Sequence, residues 1–151
     1  MNRSQTEQRL RRLEDARAIE ELKYKYAEYC DTGYDLDGFR SIFSTDARWS
    51  ANGFGDFTGH DAICEFFSEL APTIVSVLHY VTSPRISIDE SGDTASGRFY
   101  LLCLSRSRSR KDPTKIDFVA TLGTYADRFV RIDGRWLLKE VIVDVKHVTR
   151  L

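Results

Sequence analysis

A histidine lies within the alternating apolar segment V-S-V-L-H-Y-V-T-S-P, residues 75–84. The alternation predicts a β-strand in which His79 shares one face with three valines. Those valines are Val75, Val77 and Val81, and we expect their face to point inward. A buried imidazole must find a hydrogen-bond partner. The pattern is compatible both with a core histidine bonded to a backbone carbonyl and with a general base inside a pocket.

Asp31 is a second candidate for a chemical role, and it lies at the end of a predicted helix that is rich in aromatic residues. The segment Y-K-Y-A-E-Y-C-D-T-G, residues 24–33, carries three tyrosines and ends at Asp31 and Gly33. At about 100° per residue, Asp31 lies off the apolar stripe, which favours a solvated carboxylate at the helix end. Only an unwinding or a turn of the helix end at Gly33 would bring Asp31 inside.

The chain divides into helices followed by strands. Helices are predicted over residues 8–32, 36–43 and 61–70, and Asp35 or Asp37 is the predicted cap of the second helix. The apolar face of the first helix comprises Leu13, Ala16, Ile19, Leu22, Tyr26, Tyr29 and Cys30. Strands are predicted over residues 47–51, 74–89, 94–108, 116–132 and 135–148, with a Gly-rich turn or hairpin at 52–59. Segregated helices and hairpin-linked strands predict an α+β fold, a curved mixed or antiparallel sheet that wraps the N-terminal helices as an open cone.

Composition bounds the class of protein. A chain of 151 residues is predicted to form one domain, residues 1–151. Lys plus Arg number 22 and Asp plus Glu 23, for a net charge of −1, so we expect no nucleic-acid partner. The serine–arginine run at residues 105–110 is interpreted as the solvent-exposed end of a strand. The basic start, residues 1–12, lacks the apolar run of a signal peptide or anchor, and nothing approaches the ~18 apolar residues of a membrane span.

Cysteine and histidine usage indicates the compartment and argues against a metal site. Three cysteines, Cys30, Cys64 and Cys103, are scattered singly, which fits a reducing compartment, and we expect the cytoplasm. The histidines show no H-x-x-x-H spacing, so no metal site is predicted. His60 is interpreted as a loop or near-cap residue, and His147 as remote unless the C-terminal tail folds over the cone.

Aromatic residues are abundant, with nine Phe, seven Tyr and two Trp. Such rings fill cores, and they also line pockets for flat apolar ligands. The candidate pocket residues are Tyr34, Trp49, Phe54, Phe67 and Tyr125.

The order of these signals resembles the SnoaL-like branch of the NTF2-like (cystatin-like cone) superfamily. The resemblance covers nearly the whole chain from residue 19 to 144. It is carried by YKYAEYCDTGYDLDGFRSIFSTDARW, GHDAICEFF, LHYVTSPRISIDESGDTASGRFY, GTYADRFVRIDGRW and VIVD. Within that branch the chain is most similar to the dehydratase-type members, namely scytalone dehydratase, bile-acid 7α-dehydratase and the hexachlorocyclohexane dehydrochlorinase.

That resemblance implies a catalytic set. An aspartate at the end of the first helix orients a strand histidine in those enzymes, and Asp31 and His79 occupy the matching positions. Tyr26 matches a tyrosine of the bile-acid enzyme, whereas the dehydrochlorinase has lysine there. The implied function is a cofactor-free, dehydratase-type lyase acting on a small apolar ligand. A ketosteroid-isomerase-like isomerase, a polyketide cyclase and a non-catalytic ligand-binding or partner-binding domain remain alternatives.

One departure from the family pattern concerns a cation. Relatives often carry a cavity-facing arginine in the last strand, where this chain has Lys139, Glu140 and Val141. Candidate substitutes are Arg98, Arg106 and Arg128.

The segment R-F-Y-L-L-C-L-S-R, residues 98–106, carries apolar residues on both strand faces. Its outer face therefore needs cover, which predicts self-association as a dimer or a trimer. The dehydratase relatives favour the trimer.

Overall fold

The computed structural model describes residues 3–150. The predicted domain, residues 1–151, therefore extends past the described part by two residues at its start and one at its end. The described part contains the helices α1 (Arg3–Asp31), α2 (Leu36–Ile42) and α3 (His60–Leu70), with a 3₁₀ turn at Ala71–Thr73. Its strands are β1 (Phe43–Ala51), β2 (Gly55–Thr58), β3 (Ile74–Ile88), β4 (Thr94–Arg108), β5 (Ile116–Ile132) and β6 (Arg135–Arg150).

The six strands form one mixed sheet in the order β2-β1-β6-β5-β4-β3. Strand β1 runs parallel to β6, and every other neighbouring pair is antiparallel. Strands of 15 to 17 residues accumulate twist and curve around the helices. The sheet is not closed, since β2 and β3 are its free edges. The predicted α+β cone is confirmed. The four long hairpin-linked strands β3–β6 follow the three helices, whereas β1 and β2 lie between α2 and α3 in the chain.

Helix α1 packs chiefly against β3, and its buried side includes Ile19, Leu22, Tyr26 and Cys30, as the periodicity predicted. The prediction for Leu13 is wrong, because this side chain is 69% exposed and every residue from 3 to 14 is exposed. Periodicity fixes which face of a helix is apolar, but not how far the surface that covers it extends.

A buried carboxylate, Asp15, joins α1 to the β5–β6 hairpin. Its Oδ2 lies 2.6 Å from Nη2 of Arg131, and its Oδ1 accepts a hydrogen bond from Nε1 of Trp136 at 3.0 Å. The Arg131 guanidinium also lies over the Trp136 ring, 4.6 Å from its centroid. These contacts fix the direction in which α1 crosses the cone.

Strand β3 is irregular at two places. Its pairing with β4 shifts register between Ile74 and Ser76, and again between Thr82 and Arg85, where Ser83 has φ 55°. The first shift leaves Val75 43% exposed, so its predicted inward direction is wrong, while Val77 is buried. An extra residue in a strand reverses the faces of its neighbours, and simple alternation does not foresee it.

The remaining boundaries differ from the predictions by small amounts. Strand β1 begins at Phe43 rather than Ala47, and the Gly-rich segment contains β2. Asp35 caps α2, accepting a hydrogen bond from the Gly38 N–H at 3.0 Å. Among residues 3–150, no helix is both long and apolar enough to cross a membrane.

Candidate active site

A cavity of about 770 Å³ lies between the helices and the concave face of the sheet. Helices α1 and α3, the strands β1, β3, β4, β5 and β6, and the β4–β5 loop all contribute to its lining. Its volume falls within the range that small-molecule sites usually have. The cone therefore encloses a cavity beside its packed hydrophobic core.

His79 and Asp31 meet at the wall of this cavity. Nδ1 of His79 lies 2.7 Å from Oδ1 of Asp31, and the same carboxylate accepts the His79 backbone N–H at 3.0 and 3.2 Å. A carboxylate can only accept, so Nδ1 carries a proton, and in the neutral ring Nε2 is the basic nitrogen. The two side chains are 12% and 21% exposed. The helix remains regular through Asp31 and turns afterwards, at Gly33 (φ 89°) and Tyr34 (φ 60°).

The environment of His79 changes its acidity. Burial by itself lowers the pKa of the imidazole, but the hydrogen bond to Asp31 and the adjacent Cys103 sulfur outweigh burial and raise the pKa from 6.5 to about 9. The imidazolium is thus the resting form at neutral pH, paired with the Asp31 carboxylate.

Tyr26 lies on α1 and contributes to the same cavity. Its hydroxyl accepts a hydrogen bond from Nε1 of Trp49 at 2.8 Å. Burial raises the pKa of Tyr26 well above 10, so the hydroxyl keeps its proton. The indole N–H occupies one lone pair and orients the hydroxyl, which is also a hydrogen-bond partner of the Cys30 sulfur.

The five predicted pocket residues all line the cavity. They are Tyr34, Trp49, Phe54, Phe67 and Tyr125. Four of them are buried, whereas Phe54 is 46% exposed and belongs to the outer part. Tyr34 stacks on Phe67 with 5.4 Å between ring centroids, and Trp49 meets Phe67 edge-on at 5.4 Å. Ring contacts of this kind hold the aromatic wall in a defined arrangement.

Cys103 is a cavity residue that the sequence analysis did not select. It is the cross-strand partner of His79. Counting back from the turn between β3 and β4 would place Leu104 opposite His79, and the register shift between Thr82 and Arg85 moves the partner to Cys103. The position of the hairpin turn can be read from the sequence and gives a first register for β3 and β4. The register shift that changes the partner of His79 cannot be read in this way.

The three candidate arginines do not face the cavity. Arg98, Arg106 and Arg128 are exposed and absent from its lining, because their strand positions point to the convex side. The arginines that do line it are Arg108, Arg110 and Arg150.

The other histidines lie away from the dyad. His60 begins α3 and its Nε2 is 2.8 Å from the Phe43 carbonyl oxygen, while His147 is exposed and contacts Thr149. Within residues 3–150, no group of three or more His, Cys, Asp or Glu side chains is arranged to hold a metal ion.

Residues 11–142 match the SnoaL-like domain family. No curated protein matches the chain in sequence. Among solved structures, the chain is similar to a type 2 hexachlorocyclohexane dehydrochlorinase, with 23% identity, a TM-score of 0.83, and coverage of 94% of this chain and 92% of that one.

Two further solved structures have a fold similar to that of this chain. A provisionally named scytalone dehydratase from Novosphingobium aromaticivorans DSM 12444 has 21% identity, a TM-score of 0.80, and coverage of 93% and 89%. An NTF2-like protein with a cystatin-like fold from Novosphingobium aromaticivorans has 19% identity, a TM-score of 0.74, and coverage of 96% and 90%. The fold is therefore the NTF2-like, cystatin-like cone.

Proposed function

Because this chain belongs to the SnoaL-like domain family, we propose that it is a cofactor-independent lyase. The proposed reaction removes water, or another small leaving group, from a small apolar polycyclic or aromatic substrate. The observation that carries this proposal is the 2.7 Å contact between Asp31 and His79, whose side chain lines an apolar, aromatic cavity. Two proteins of similar fold are named for elimination reactions, a dehydrochlorinase and a scytalone dehydratase, which supports this reaction type.

The proposed chemistry is a proton abstraction coupled to loss of a neighbouring group. Nε2 of neutral His79 takes a proton from a carbon next to a carbonyl, and the electrons of that C–H bond form the new double bond. The bond from the adjacent carbon to the hydroxyl breaks, and the Tyr26 hydroxyl hydrogen-bonds the developing oxygen charge or protonates the leaving hydroxyl. Asp31 stabilises the imidazolium that forms. The imidazolium then gives its proton to the departing hydroxide, or to the Tyr26 phenolate where Tyr26 has protonated that hydroxide, so water leaves and both residues return to their starting state.

Substitution of His79 by Asn tests the base. The Asn side-chain amide still donates to Asp31 but has no basic nitrogen, so kcat/KM should fall by about 10²- to 10⁴-fold. The assay uses a panel of β-hydroxy ketones and steroids, with product mass recorded. The matched control is His147→Asn, which removes an exposed imidazole outside the cavity and should leave the rate unchanged. Equal turnover of any accepted substrate by the unaltered protein and the His79→Asn variant would exclude His79 as the base.

The same assay separates elimination from the alternatives. Elimination lowers the mass of the product by the leaving group, whereas isomerisation leaves the mass unchanged. Exchange of a carbon-bound deuteron without product formation would indicate a base that acts on a different substrate class. Binding without either signal favours a ligand carrier.

A further inference from the structure

The serine–arginine run, Ser105–Arg110, has two chemically different faces. The hydroxyl side chains of Ser105, Ser107 and Ser109 line the cavity. Arg106 points to the opposite face, where its guanidinium lies 5.5 Å from the centroid of the Phe118 ring. Strand alternation thus extends a row of hydroxyls along the cavity wall, beyond the His79–Cys103 position.

These hydroxyls are not used by the protein itself. Within residues 3–150, none of the three serine side chains hydrogen-bonds a protein group. The inner part of the cavity, by contrast, is walled by buried rings such as Tyr26, Phe67 and Tyr125. The cavity is therefore apolar at one end and able to hydrogen-bond a ligand toward its mouth.

The mouth carries excess positive charge. Arg108, Arg110 and Arg150 contribute to it, against the two carboxylates Glu69 and Asp117. Arg150 is paired with Asp117 at 3.2 Å. Neither Arg108 nor Arg110 has a carboxylate within 4.0 Å among residues 3–150, so both guanidinium groups are available to an anion.

Strand geometry sets the span between the two ends. Ser105 and Ser107 lie two and four residues beyond Cys103, the partner of His79. At about 3.3 Å per residue, they are about 7 and 13 Å along the strand from the proposed base.

From these features we propose that the substrate is an amphipathic anion. Its apolar ring system occupies the inner cavity beside His79, and a polar tail follows the serine row to a carboxylate, sulfate or phosphate group held by Arg108 and Arg110. This inference rests on the proposed function for the position of the reacting end, and it names the substrate class of the same site.

Fluorescence titration with pyrene derivatives tests the proposal without needing turnover. Pyrenebutanoate and pyrenebutanol share ring and tail and differ in the terminal charge. At low salt, the acid should bind about five- to tenfold more tightly than the alcohol, because two partly exposed arginines contact the carboxylate.

Three variants sharpen the test. The Arg108→Gln/Arg110→Gln variant should lose the preference for the acid while binding pyrenebutanol as before, which also shows that it is folded. The control, Arg106→Gln, removes one arginine charge that lies outside the cavity lining and should keep the preference. Ser105→Ala/Ser107→Ala should weaken pyrenebutanol and pyrenebutanoate, whose terminal hydroxyl or carboxylate can hydrogen-bond the serine row, but not pyrene itself, which has no polar group.

Equal affinities for pyrenebutanoate and pyrenebutanol in the unaltered protein would overturn the proposal. So would an equal loss in the Arg106→Gln control, or no binding of any pyrene probe. None of these results depends on His79 turnover, so the elimination chemistry stands or falls separately.

Discussion

The protonation state of His79 determines when the proposed base can act. With a pKa of about 9, only about one imidazole in a hundred is neutral at pH 7. The Asp31 carboxylate that orients the ring also holds the proton on it, and its hydrogen bond raises the pKa of His79 more than the contact with Cys103 does. The contact with Asp31 therefore orients the imidazole, but it also lowers the fraction of His79 that is neutral and able to accept a proton.

The pH dependence should follow from this shift. If His79 is the base, kcat/KM should rise about tenfold per pH unit below 9 and level off above it, because only the neutral form abstracts a proton. An NMR titration of the His79 ring should give the same inflection without substrate. The Cys103→Ser variant should lower the inflection, and Asp31→Asn should lower it further, since the Asp31 hydrogen bond contributes more. An inflection near 6.5 in the unaltered protein would contradict the account.

At the scale of elements, α1 and β5 are joined by a fully buried ion pair. Nζ of Lys23 lies 2.8 Å from Oδ2 of Asp127, without the angular geometry of a hydrogen bond. The ammonium also lies 3.2 Å from the centroid of the Tyr125 ring and 4.4 Å from that of Tyr26. Burial lowers the pKa of Lys23 and raises that of Asp127, while their mutual attraction opposes both shifts. The pair therefore supports two rings of the cavity wall.

Replacing one partner of this ion pair should lower the free energy of unfolding more than replacing both. Lys23→Met leaves an unpaired buried carboxylate and should lower the free energy of unfolding by about 3–5 kcal/mol. The double variant Lys23→Met/Asp127→Leu removes both charges and should recover most of that loss. Urea unfolding followed by circular dichroism measures both. A single variant as stable as the double variant would show that the pair contributes little.

At the scale of the whole molecule, the convex face of the sheet is apolar. Cross-strand partners there include Leu78 with Leu104, and Leu102 with both Tyr80 and Leu122. All five side chains are at least 37% exposed. Contiguous apolar patches of this kind mark interaction surfaces, and self-association as a dimer or a trimer remains a prediction for this chain.

Charge placed on the convex face should disrupt that association. We expect the unaltered protein to be a dimer or trimer at micromolar concentration, and Leu102→Lys/Leu122→Lys to be a monomer, because two buried charges cannot be accommodated at an apolar interface. Size-exclusion chromatography with light scattering gives the mass. Leu10→Lys, which alters an exposed leucine on α1, is the matched control and should stay associated. A monodisperse unaltered monomer would refute the prediction.

The sequence by itself determined the element types, their order and most of the residues that face inward, with Leu13 and Val75 as the exceptions. Alternation and helical periodicity depend on local geometry, so they placed His79 and Tyr26 on inward faces. The chemical role of Tyr26 came from the resemblance to the SnoaL-like branch, and the aromatic wall was selected from composition. Asp31 could not be placed inside by that means, because a residue off the apolar stripe becomes buried only if a neighbouring strand covers it.

Only the tertiary structure decided which side chains meet. The docking of α1 against β3 brings Asp31 to His79, and a bulge of β3 sets Cys103 rather than Leu104 opposite that histidine. Lys23 is a charged residue within an otherwise ordinary helix pattern, and its burial follows from Asp127, which lies more than a hundred residues away. Local periods describe one element at a time, whereas a site is formed where several elements converge. Register shifts and packing directions, which decide that convergence, leave no periodic trace in the chain.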